Sequence, residues 1–191
     1  MDFIVDNLGC CSSLLTQSFI FDGRYRLYRF LTDVEDILQK DQPDRDHLIE
    51  ISPLVRRLLE DCLWLQVPDT QPDRDLGWGV QTIYDEPFFD LTVQLVTWLP
   101  GTKSTIHNHG GWGIVALLDG MERNQFWYEK NDRLVSTGEQ ILKPGEMICF
   151  LPQAVHQIEA LGEQPTISFN LYGKSTDRFE YDLQNNNKRP Y

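Results

Sequence analysis

GTKSTIHNHGGWGIVALLDG, residues Gly101 to Gly120, holds two of the four histidines in the chain, His107 and His109, in a His-x-His pair. Pro100-Gly101 before the pair and Asp119-Gly120 after it are turn signals that bracket one strand unit. Side chains two apart on a strand point to the same face, so both imidazoles reach one point in space. A neutral imidazole pair at that spacing suits a divalent transition metal. The plainer alternative is two solvated histidines near a strand end.

Working outward, the third piece is His156. It follows the turn Lys143-Pro144-Gly145, the apolar strand MICFL and the kink at Pro152. That order delivers one imidazole from a separate strand. In a small closed barrel the inner faces of neighbouring strands converge, so His107, His109 and His156 can meet. His47 lies at the start of a helical stretch and reads as a capping or surface residue rather than a ligand.

From Gly77 onward short β-branched and aromatic runs follow one another: VQTIYD, FFDLTVQLVTWL, GIVALL, MERNQFWYEK, RLVSTGEQIL, MICFL, VHQIEAL and TISFNLY. Proline, glycine and Asn-Asp turns punctuate them. Many strands at short, even spacing predict a mainly β sandwich or barrel. Residues 24 to about 66 read differently. Leu27, Phe30, Leu31, Val34, Ile37 and Leu38 recur with helix periodicity. A second apolar stripe of Leu54, Leu58, Leu59, Cys62 and Leu65 follows, with Pro53 as its expected opening. The Asp and Pro cluster Val67–Asp75 is a loop, and the polar run QNNNKR near the C-terminus is expected to fray. The division is therefore an N-terminal helical segment over 1–76, packed on a metal-binding β-barrel over 77–191.

A formal net charge of -12 argues against a nucleic-acid partner and against an anionic membrane surface. Cys10, Cys11, Cys62 and Cys149 are an adjacent pair plus two singles, which makes no disulfide framework and no zinc motif. No apolar run approaches a membrane span, and acidic residues stand where a signal peptide is basic. The expectation is a cytoplasmic protein with reduced thiols.

Taken together, Gly101-x5-His107-x-His109 with Gly120, and Gly145, Pro152 and His156 after it, resemble the two motifs of the cupin superfamily. The resemblance covers about residues 77–173 and implies a cupin-type β-barrel (jelly roll). Two departures stand out. The family's glutamate ligand falls at Gly113, which implies a site of three histidines and no carboxylate. The second motif is one residue shorter, with Ala154 at a usual glycine. Loss of the glutamate makes the chain most similar to the cysteine-dioxygenase-like thiol dioxygenases, which hold iron by three histidines. TISFNLYG is similar to that group's later strand, with Ser168, Asn170 and Tyr172 sharing one face. The resemblance implies catalytic roles for these three, Tyr172 placing its hydroxyl near substrate and Asn170 replacing a family histidine. If Phe169 and Leu171 form the core face instead, the three polar residues face water.

The group's arginine anchor for a substrate carboxylate falls at Tyr84-Asp85-Glu86-Pro87, which offers acid where base is expected. Tyr84, Glu86 and Trp112 are therefore pocket candidates for an amine-bearing or neutral substrate, unless Arg74 or Arg123 folds back. Trp112 fits pocket lining and ordinary packing equally. Glu122, two residues past Gly120, is expected to face outward. The implied activity is oxidation of a small thiol to a sulfinate with O2 at iron(II), although imidazole also suits zinc, nickel and copper. Another cupin oxygenase or isomerase, or a non-catalytic metal or small-ligand binder, stays open beside it.

Overall fold

The computed structural model describes residues 1–15, 23–66, 71–131, 133–183 and 187–190. The elements run β1 (Asp2–Val5), β2 (Cys11–Ser13), α1 (Leu27–Leu38), α2 (Asp44–Asp61), a 3-10 turn (Leu63–Gln66), β3 (Trp78–Glu86), β4 (Phe89–Trp98) and β5 (Ile106–His107). They continue as β6 (Gly113–Asp119), β7 (Met121–Lys130), β8 (Arg133–Leu142), β9 (Met147–Phe150), β10 (Val155–Leu161), β11 (Thr166–Gly173), β12 (Phe179–Asp182) and β13 (Asn187–Pro190). Among the described residues they form two sheets, ordered β2-β1-β9-β6-β11-β4-β3 and β13-β12-β5-β10-β7-β8. This is the expected mainly β jelly roll with helices at its N-terminal side.

Alternation along the strands of the first sheet divides two cores. In β9, Met147 and Cys149 join the cluster built with the helices, whereas Ile148 and Phe150 join Phe3, Val5, Phe126 and Leu142 between the sheets. β6 splits the same way, Ile114 and Ala116 against Val115 and Leu117. A sheet covered on both faces needs apolar residues at every position, which is why MICF is buried throughout. Helix α1 supplies Phe30, Val34 and Ile37, and α2 supplies Leu48, Ile51, Val55 and Leu58. Phe30 meets Phe169 of β11 edge-on, with ring centroids 6.4 Å apart.

Several expectations need correction. Residues 1–76 are not helical throughout, because β1 pairs in parallel with β9 and carries β2 beside it. Helix α2 opens at Asp44, with Asp44 and Asp46 in the first turn where the helix dipole favours negative charge, and Pro53 lies inside it. His47 is buried, its Nε2 3.2 Å from the Lys40 carbonyl. The polar tail is ordered over β13, which pairs antiparallel with β12. Its first residues, 184–186, and residues 67–70 of the expected loop lie outside the described residues. All four cysteines are free. Among the described residues, no helix is long and apolar enough to cross a membrane.

Candidate metal centre

The second sheet brings the histidines together. His107 ends β5 and pairs directly with His156 of β10. His109 lies just past the strand end, so the pair is held by the loop as much as by strand parity. The loop is pinned from behind. Buried Asn108 donates through Nδ2 to Gln153 Oε1 and to the Asp177 carbonyl, both at 3.1 Å, and accepts from the Phe179 amide at 2.6 Å. Ser175 Oγ donates to the His109 carbonyl at 2.7 Å. Gly110 adopts φ +66, and a Cβ there meets the Arg178 amide nitrogen at 2.6 Å, so glycine is required for this close approach.

Ring centroids lie 5.1 Å apart for His107 and His109, 4.6 Å for His107 and His156, and 4.9 Å for His109 and His156. One nitrogen from each falls within 4.8 Å of the others. The donor set fits a metal ion. His107 Nδ1 donates to the Thr105 carbonyl at 2.9 Å, and His156 Nδ1 donates to Asn124 Oδ1 at 2.9 Å. Those bonds leave Nε2 of both rings as a lone-pair donor, the arrangement a ligating imidazole needs. Burial pulls His107 down to about 4 and holds His109 and His156 well below the usual imidazole range, with the positive charge of Arg178 adding to each. The rings are therefore neutral near pH 7 and ready to bind an ion without first losing a proton.

Beside the histidines, β11 turns its polar residues inward, because Phe169 and Leu171 already face the helices. Tyr172 stacks on His109 at 4.9 Å and 27°. Its hydroxyl donates to Asn170 Oδ1 at 3.1 Å, and Asn170 Nδ2 donates to Ser168 Oγ at 3.0 Å. The three residues form one hydrogen-bonded line ending next to His109. Desolvation keeps the Tyr172 phenol protonated across the ordinary pH range. A Cβ on Gly113 meets the Tyr172 ring at 3.0 Å, so the ring occupies the space in which a carboxylate side chain from position 113 would begin.

A cleft of about 740 Å³ opens onto the centre, lined by His107, His109, Gln94, Trp112, Asn170, Tyr172 and Arg178, with Glu86 and fully exposed Phe88 on its outer part. Trp112 both lines the cleft and packs in the helix-side cluster, only 6% exposed. Tyr84 packs edge-on against Phe89 beside that same cluster, and its hydroxyl donates to Glu86. Arg123 is held by Glu159 at 3.0 Å, away from the cleft wall. The guanidinium in that wall belongs to Arg178, which no motif announced. Glu122 faces inward, fully buried, and accepts from Asn124 Nδ2 at 2.8 Å. The expected outward orientation of Glu122 is thus reversed; strand parity with buried Phe126 carries that information.

Fold and site together define a jelly-roll β-sandwich with a buried three-histidine cluster suited to a divalent metal. No family model matches the sequence. Similar solved structures include an oxalate oxidase in complex with the substrate analogue glycolate, at 13% identity and TM-score 0.45, covering 57% of each chain. KdgF from Halomonas sp. is similar over 57% of this chain and 90% of that one, at 20% identity and TM-score 0.45. A cupin superfamily protein from Desulfitobacterium hafniense is similar over 58% of this chain and 87% of that one, at 10% identity and TM-score 0.43. The match spans less than two thirds of the oxalate oxidase chain.

Proposed function

We propose that this protein is a metal-dependent cupin enzyme, an iron(II) thiol dioxygenase that converts a small thiol to its sulfinate. The observation that carries this reading is the ligand set: three neutral imidazoles converge with no carboxylate among them, and the Tyr172 ring fills the space beside Gly113. Iron(II) held there supplies the redox chemistry, in which both atoms of O2 pass to sulfur and no external reductant is needed. The chain's own residues do the rest. His107, His109 and His156 hold the ion, and neutral ligands leave its full charge to attract a thiolate. Tyr172 presents a fixed, protonated hydroxyl beside His109, oriented by Asn170 and Ser168. Arg178 and Glu86 give the cleft charge of both signs, which suits a small thiol bearing polar groups.

The test is metal analysis of protein purified without added metal, followed by O2 uptake with a panel of small thiols. Equal consumption of O2 and thiol, with sulfinate as product, is expected. Metal-dependent turnover of substrates lacking sulfur indicates a different cupin enzyme, and metal binding without any turnover indicates a binding protein. Either result removes the thiol reading.

A further inference from the structure

We propose that Glu122 and Asn124 are positioning residues for this centre: the Glu122 carboxylate orients the Asn124 amide, which fixes His156 as the tautomer that presents Nε2 to the other two histidines. The inference rests on the metal-centre reading and extends it to two residues outside the ligand set.

An asparagine amide can present either its oxygen or its NH2 to a neighbour, and its own shape does not choose between them. Here the choice is made by the partner on the other side. Above about pH 7, where buried Glu122 has lost its proton, its carboxylate only accepts, so the group 2.8 Å from Oε1 is the NH2 of Asn124. The carbonyl oxygen is then the atom 2.9 Å from His156 Nδ1. It only accepts, which requires the proton on Nδ1 and leaves the lone pair on Nε2. The same assignment makes His109 the donor in the 2.9 Å contact between the two Nε2 atoms. For an ion to take that place, His109 would carry its proton on Nδ1 instead, which frees Nε2 and leaves the ring neutral.

The strands are built for this line. Glu122, Asn124 and Phe126 share the inward face of β7, and β10 lies antiparallel beside it, with Ala160 opposite Glu122 and Ile158 opposite Asn124. A small residue at 160 leaves room for the carboxylate. Glu122, Asn124 and His156 are 0%, 1% and 0% exposed, so no water competes for these bonds. As a stabilising feature the arrangement is poor, because burying a carboxylate without a full set of partners opposes folding, and Oε2 has no hydrogen-bond partner among the described residues. As a support for a metal centre it is sound. Three neutral imidazoles leave a divalent ion uncompensated; a bound cation favours the ionised form of Glu122, whose negative charge two hydrogen bonds away offsets part of that charge while keeping the cleft-side positions open.

The experiment uses zinc(II) as a probe, titrated against a chromophoric chelator, together with nitrogen-15 shifts of His156 in the metal-free protein. Wild type should show His156 protonated on Nδ1. Glu122→Gln should weaken zinc binding by about 10–100-fold, the usual effect of removing a residue that supports a ligand. Glu122→Gln combined with Asn124→Asp should recover affinity, because the carboxylate at 124 accepts from Nδ1 directly and the amide at 122 donates to it. Affinity for Glu122→Gln equal to wild type overturns the inference. So does wild-type His156 protonated on Nε2, a measurement that needs no variant to fold. Wild type that binds no metal at all removes the metal centre instead, and the tautomer result still decides the hydrogen-bond line.

Discussion

A single missing side chain shapes the centre. Gly113 has no Cβ, so the Tyr172 ring can lie beside it and stack on His109. Gly113→Ala places a methyl 3.0 Å from that ring, tighter than ordinary contact, and should shift the phenol. Turnover is expected to fall while metal content stays constant, as measured by metal analysis and O2 uptake on the same sample. Tyr172→Phe removes the hydroxyl and keeps the ring. If the hydroxyl assists proton movement or orientation at the substrate, turnover should fall by roughly 10²-fold with metal content unchanged. An unaltered rate would remove Tyr172 from the chemistry and leave it as packing.

At the scale of elements, β11 does two jobs by parity. Its odd residues, Phe169 and Leu171, fasten the first sheet to the helices, and its even residues, Ser168, Asn170 and Tyr172, face the site. Phe169→Ala should cost about 3–5 kcal/mol of stability in a denaturant titration, the range for an aromatic truncated in a packed core. Metal stoichiometry of the folded fraction should stay the same, because the lost contacts lie on the far face of the sheet. β5 and β10 behave in the opposite way. Substituting His107, His109 or His156 by Ala should abolish metal binding and leave near-native circular dichroism, since Phe150 of the inter-sheet cluster packs on His109 and His156 but the helix-side cluster is formed by other residues.

For the whole molecule, the buried histidines couple stability to pH. An unfolded chain takes up their protons near 6.5, whereas the folded metal-free protein holds His107 neutral down to about 4. As pH falls through that window the unfolded state binds more protons, and stability is lost. Glu122 works the other way. Burial pushes it from 4.5 up to about 7, so the folded state takes its proton first and gains as pH falls. One carboxylate against three imidazoles leaves a net loss on acidification. The melting temperature of metal-free protein should therefore drop as pH falls from 6.5 towards 4, and the triple histidine-to-alanine variant should lose less. Equal slopes would mean the rings are not buried neutral. Saturating metal should raise stability by about 2.7 kcal/mol at a concentration 100 times Kd.

The sequence by itself determined the strand texture after Gly77, the amphipathic helices before it and the identity of the three histidines that converge. Those features are local: side-chain alternation, helix period and turn residues are set by neighbours a few positions away. Tertiary structure decided the rest. Only the packing of α1 and α2 on the first sheet made both faces of β11 buried, so polar Ser168 and Asn170 turned inward. Only the pairing of β1 with β9 drew the N-terminus into the sheet. The inward turn of Glu122 and the arrival of Arg178 in the cleft wall depend on contacts between residues far apart in the chain. Strand parity says that Glu122 shares a face with Phe126, but no short-range pattern says that a charge is accepted there, because the free energy of burying it is set by what the fold places around it.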